Sequence, residues 1–240
     1  MNTRIAWTLA RNAALCLGML ALLAACGDNE PEQRKAFIDI IQKNVLDQKG
    51  GRIILLTADD KKRIGKYEEH FTVLTDAVQS EGKLNMDAQI NKVNQLTNDL
   101  NRSNDAQKRG QILDEIDAAK ADVRSDIETL VAELSTKKEA LKQPEDLKAV
   151  YDQAWEKHFS KPSEIALRIL DASDGFMKTV RDLNDFVLAN PDKVQYQGSD
   201  ILILDDSVEG DLARLMEAQM VEFDKMQTVL QEAFKIQRAM

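Results

Sequence analysis

Cysteine is nearly absent from this chain: Cys16 and Cys26 are the only two in 240 residues. Both fall in the first 26 positions, so the rest of the chain has no disulfide and no thiol ligand for a structural zinc site. Histidine is as scarce. His70 and His158 stand alone, and neither falls in a metal-ligand spacing such as H-E-x-x-H. Four prolines and ten glycines are few, which excludes collagen-like, low-complexity and turn-dense all-β chains. Aromatic content of 5% is low for a compact enzyme-like core. Positive charge is in deficit, with 32 basic against 41 acidic residues and a net charge of −9. Such a chain is repelled by nucleic acid and by anionic membrane faces. Its most apolar stretch, Ala13 to Leu23, falls well short of the ~20 residues that span a bilayer.

That short stretch sits where an export leader needs it. Arg4 and Arg11 precede it with no acidic residue, and the small residues Ala24 and Ala25 follow. Leu23-Ala24-Ala25-Cys26 looks like a lipobox, the acceptor of diacylglyceryl in bacterial lipoproteins, with cleavage between Ala25 and Cys26. The chemistry needs the Cys26 sulfur, because the lipid is joined through a thioether, and small residues before it let the backbone enter the peptidase site. Two or more acyl chains, such as palmitate, anchor stably where one binds only marginally. Asp after the cysteine tends to retain such proteins in the inner membrane; Gly27 stands there instead, which favours the outer membrane. The expectation is a leader at 1–25, a lipidated N-terminus and short tether at 26–31, and one helical domain at 32–240. After cleavage the charge becomes about −11, so membrane affinity must come from the lipid.

Ala, Leu, Lys, Glu, Asp and Gln are plentiful, a helix-forming composition. A first helix is expected from Glu32 to about Gln48, with Phe37, Ile38, Ile41 and Val45 on one face. Thr57 opens a second, with Asp60 placed to complete a capping box. Tyr67, Phe71, Leu74 and Val78 continue it to a break at Gly82, and Ile90, Val93, Leu96 and Leu100 form a further stripe. A turn is expected over Asn101 to Gly110. Then Leu113, Ile116, Lys120, Val123, Ile127, Leu130, Leu134, Lys137 and Leu141 recur at alternating spacings of three and four. This is a heptad seam interrupted twice by lysine. Its nearest partner is the preceding helix, folded back as an antiparallel hairpin; pairing with a second copy, giving a homo-oligomer, is the alternative. Pro144 and Pro162 each mark a helix start, and Pro191 a stop.

One segment has the period of a strand. Val194, Tyr196, Ile201 and Ile203 flank Gly198-Ser199, a pair suited to a two-residue hairpin turn. Pairing about it sets Tyr196 opposite Ile201 and Val194 opposite Ile203, on one face. Ser207 then opens the last helix amid Asp205, Asp206, Glu209 and Asp211, whose charge suits a helix N-terminus. Met216, Met220, Phe223, Met226 and Leu230 form its apolar stripe, read as core in preference to an adaptable binding groove. The fold expected is mainly α: an elongated helical bundle with a long antiparallel helical hairpin and one small β-hairpin.

Glu32-Gln33-Arg34-Lys35-Ala36-Phe37-Ile38-Asp39, Leu56-Thr57-Ala58-Asp59 with Lys61-Lys62, and Asp146-Leu147-Lys148 leading to Tyr151-Asp152-Gln153-Ala154 together resemble the YiaF-like family of proteobacterial lipoproteins. The hairpin near residue 200 sits where the family has a similar one, while 81–141 matches only in helical character. The family is a domain of unknown function, so the resemblance implies envelope location and no catalytic residues.

No site chemistry fills that gap. There is no G-x-S-x-G elbow, and Gly65-Lys66 is not part of a phosphate-binding loop. Asp171-Ala172-Ser173-Asp174-Gly175 lacks the alternating ligands and terminal Glu of a calcium loop. No cofactor and no metal is expected, and no catalytic residue is assigned. The function expected is therefore non-enzymatic: a periplasm-facing lipoprotein held on the membrane through Cys26, with an envelope protein as partner. The alternative is a binding module for a small apolar or lipid ligand between the helices.

Overall fold

The computed structural model describes residues 29–48, 52–83 and 86–239, without the side chains of 81–83, 86, 87, 90 and 237–239. The leader and the lipobox Leu23 to Cys26 lie outside the described residues; Gly82, where a break was expected, lies within the helix Glu68–Lys83, and residues 84 and 85 after that helix lie outside. The first helix, α1, spans Glu30–Ile41, two residues earlier than expected, with Pro31 in its first turn beside Glu30 and Glu32. Proline lacks the N–H that would go unpaired there, and the carboxylates meet the positive end of the helix. It runs into a π-turn, Gln42–Leu46, where Asn44 and Ile54 exchange bonds: Ile54 N donates to Asn44 O at 2.9 Å and Asn44 Nδ2 to Ile54 O at 3.3 Å.

Thr57 caps α2 (Ala58–Ile64) in the expected capping box, each side chain meeting the other's backbone N–H. Gly65 stops α2 with φ +50 and sits against Gln33, 2.6 Å from where a Cβ would stand. A 3-10 turn, Gly65–Tyr67, leads into α3 (Glu68–Lys83) and then α4 (Met86–Arg102). The long seam helix, α5, spans Ala106–Glu139. The turn before it is shorter than expected, only 103–105, because Asp105 accepts bonds from the N–H groups of Gln107 and Lys108 and starts α5 early.

After the turn at 140–144 comes α6 (Glu145–Trp155), a second π-turn (Glu156–Ser160) and α7 (Lys161–Ala189). Pro162 sits in the first turn of α7, as expected, although the π-turn joins α6 to α7 with no break in the helical backbone. It lies inside an unbroken helical run, and the π-turn just before it loosens the backbone where proline would otherwise clash with the preceding carbonyl. Strands β1 (Val194–Gln197) and β2 (Asp200–Ile203) pair antiparallel in the expected register, Val194 with Ile203 and Tyr196 with Ile201. Gly198 supplies the turn's positive φ of +66. A short 3-10 turn, Asp206–Val208, precedes α8 (Glu209–Ala239), so the last helix begins two residues after Ser207.

The fold is mainly α with one β-hairpin, and α5 is its spine. On one side α4 folds back along it, Gln89 Nε2 donating to Asp126 at 2.9 Å. On the other lies α7, with Arg124 on Asp171 and Asp174 (2.8 and 3.0 Å) and Arg181 on Asp114 and Asp117 (both 2.8 Å). Leu113, Ile116, Val123, Ile127 and Leu134 of the seam are buried. Lys120 is buried too, its ammonium on Asp174; Lys137 is exposed and pairs with Glu133 at 2.7 Å.

Apolar burial divides into three clusters along this spine. The largest joins α1, α2, α3 and α6 to the C-terminal end of α5. There Phe37 stacks on Tyr67 with centroids 5.5 Å apart, and Tyr151, Trp155 and Phe159 form a ladder at 6.2 and 4.9 Å. Their spacing of four residues puts the ladder on one helix face. A middle cluster joins Leu100, Ile112, Leu113, Ile116 and Val180. The far cluster packs Leu183 and Val187 of α7 against Val194, Tyr196, Val208 and Leu212.

Candidate interaction surface

Glu30 fixes the start of the body. The Tyr67 hydroxyl donates to its carboxylate, Arg34 and Lys66 lie 3.8 and 3.9 Å from it, and Arg34 also meets Asp146 at 3.3 Å. Burial, reinforced by the Glu30 carboxylate, drives the Tyr67 hydroxyl well above its ordinary pKa, so it stays a donor. Cys26 stands four residues before Glu30, a reach of ~14 Å when extended.

The two histidines are packing residues. His70 is half-buried, edge-on to Phe37, Tyr67 and Tyr151 with centroids 5.1 to 6.4 Å away, and the Gln143 amide meets its Nδ1 at 3.1 Å. Burial lowers its pKa, which favours the neutral ring. His158 is buried, its Nε2 3.2 Å from the Val45 carbonyl. Among the described residues, no three His, Cys, Asp or Glu side chains are grouped to hold a metal ion.

The acidic groups have structural tasks. Asp171 and Asp174 lie within α7 and hold Arg124. Asp205 accepts from the Ser207 N–H at 2.8 Å, a bond that keeps its carboxyl below the usual carboxylate range. Glu209 and Asp211 occupy the first turn of α8, where the helix dipole favours them. Four described clefts, of 210 to 560 Å³, each carry lysine or arginine in their walls. In the largest, Lys138 reaches Asp152 at 2.7 Å beside Trp155.

Sequence reasoning misjudged α8. Its stripe was expected to be core; Met226 and Leu230 are half-buried, yet Met216, Met220 and Phe223 are 47%, 69% and 42% exposed. The physical reason is that α8 has apolar residues on two adjoining faces and only one neighbouring helix. The face toward α7 is covered, with Arg168–Glu232 at 2.6 Å along it, and Phe223 stands at its edge, 5.7 Å from the Phe176 ring yet 42% exposed. The adjoining face turns outward. Beside its start, β2 is uncovered as well: Leu202, Ile203 and Leu204 are exposed, although Ile203 was expected on the packed face with Val194. No sequence signal distinguishes the two faces of α8, because both are apolar.

A second feature missed from sequence is Arg109, which is buried. Its Nη1 donates to the carbonyls of Leu100 (2.5 Å) and Ser103 (3.2 Å), and its guanidinium lies 3.8 Å from the Tyr196 ring centre. It thereby satisfies the C-terminal carbonyls of α4 and presses β1 onto the bundle.

Comparison with known proteins brings one family. The model of the family described as "Protein of unknown function (DUF3053)" matches residues 14–235. "Uncharacterized protein YiaF" of Escherichia coli (strain K12) and of Shigella flexneri are each 27% identical to this chain over 183 residues, covering 76% of it and 77% of the relative. No solved structure matches.

Proposed function

We propose that this chain, which belongs to the DUF3053 family of proteins of unknown function, is a lipid-anchored envelope protein that acts by holding a partner protein at the membrane. Anchoring rests on the lipobox Leu23-Ala24-Ala25-Cys26 behind a charged and then apolar leader. Gly27 after the cysteine favours the outer membrane, with the body facing the periplasm. Among the described residues no helix is long and apolar enough to cross a membrane, and nothing among them indicates catalysis.

One observation carries the interaction reading: Met216, Met220 and Phe223, large and apolar, stand exposed in a row on an ordered helix. Contiguous apolar surface of this kind marks a binding face. The test is crosslinking in living cells, comparing the native chain with Cys26→Ser in the membrane fraction. Discrete adducts that vanish with Cys26→Ser are expected; adducts equal in both, or none in either, would overturn the reading.

A further inference from the structure

Exposed apolar groups and acidic groups are concentrated in the same short part of the molecule. Of the eleven exposed large apolar side chains among the described residues, seven lie between 200 and 224. The same 25 positions hold eight acidic residues and a single basic one, Arg214, which is already paired with Asp211. Met216, Met220 and Phe223 follow one another at intervals of four and three, so they share one line along α8. Glu217 and Asp224 each follow a member of that line by one residue and are exposed, which sets acidic charge along its flank.

This charge decides between occupants. A second copy of the chain would bring Glu217 and Asp224 against their own like, which repels. An anionic lipid surface is excluded on the same ground. What fits is the opposite pattern, an apolar stripe edged with lysine or arginine. Methionine adds adaptability, since its unbranched, polarisable side chain accommodates differently shaped apolar groups. We infer that the outer face of α8, from Met216 to Phe223, is the docking site for a basic amphipathic helix of a partner protein. The proposal rests on the interaction reading above and names its partner class.

The test uses the full chain in mild detergent with a photoreactive benzophenone side chain at position 220 or, as control, at 218, which lies about 200° around the helix. The probes are two labelled synthetic helical peptides with leucine at identical positions and either lysine or glutamate elsewhere. At about 50 mM salt the lysine peptide should crosslink at position 220 roughly tenfold more than the glutamate peptide, and the excess should fall at about 500 mM. Phe223→Ser combined with Glu217→Lys should lower its yield by about tenfold, with the helical circular dichroism unchanged. Equal yields from both peptides, equal yields at 218 and 220, or no adduct would overturn the proposal. So would chain-to-chain adducts in place of peptide adducts, which would make a second copy the occupant. Peptide failure alongside Cys26-dependent adducts in cells removes this partner class and leaves the interaction reading standing. Absence of Cys26-dependent adducts removes that reading whatever the peptides do.

Discussion

The two ends of the molecule bury their apolar residues to very different degrees. At the α1–α3–α6 end, Phe37, Ile41, Ile64, Leu74, Leu147 and Tyr151 are fully enclosed, and helices surround them on several sides. At the hairpin end a small cluster of six buried residues holds β1 down, while β2 and the outer face of α8 stay open. The first arrangement is what stability alone selects. The second leaves uncovered a surface that a stability argument would cover, and that difference is what supports the interaction reading proposed above.

The largest expected effect separates the two ends directly. Tyr151→Ala removes a fully buried ring and its hydroxyl bond to the His70 carbonyl at 2.8 Å. A loss of about 3–5 kcal/mol of unfolding free energy is expected in denaturant titration. Met220→Ser should stay within about 0.5 kcal/mol in the same measurement. Similar losses at both would abolish the contrast.

The next effect tests how the open end is held. Arg109→Ala removes the side-chain donor to the Ser103 carbonyl, leaves the Leu100 carbonyl with only the Ser103 N–H, and strips the Tyr196 ring of its cation, at an expected cost of about 2–3 kcal/mol. Amide exchange should then rise in β1 more than in α1. A smaller loss follows from Gly198→Ala, which forces a Cβ into the turn at φ +66, and about 1 kcal/mol is expected from thermal melts.

The subtlest effect concerns pH at the enclosed end. Burial places the folded-state pKa of His70 below its ordinary 6.5. Above that value the ring is neutral in both folded and unfolded chains. As pH falls through it, the unfolded chain takes up the proton first, so stability declines until the folded pKa is passed. Denaturant midpoints measured from about pH 7.5 to 5.5 should therefore fall, and His70→Gln should flatten that decline. An unchanged slope would show that His70 is not its source.

Much of this architecture is legible in the sequence wherever local chemistry decides it. Thr57 and Asp60 announce a capping box, and Val194, Tyr196, Ile201 and Ile203 about Gly198-Ser199 fix the hairpin register, since a slip by one residue would turn every side chain over. The seam from Leu113 to Leu134 is read from its spacing. What stays hidden depends on distant parts of the chain. The π-turn at Glu156–Ser160, which joins α6 to α7 without a break, leaves no mark in residue types. Arg109 has the composition of a surface residue, and its burial follows only from the approach of α4 and β1. The α8 stripe shows that residues are apolar and says nothing of how many helices arrive to cover them. The anchor proposed at Cys26 rests on motif alone.

The unbroken run from Glu145 to Ala189 has a mechanical consequence. At 1.5 Å per residue it is a rod about 65 Å long, and α5, with its 34 residues, adds a parallel strut of about 51 Å. Cross-ties at Arg124 and Arg181 stop the two from sliding. Together they separate the end at Glu30 from the end that carries the β-hairpin. Lengthening both rods by one helical turn would move that far end by about 5.4 Å, altering the separation without touching a single residue of its surface.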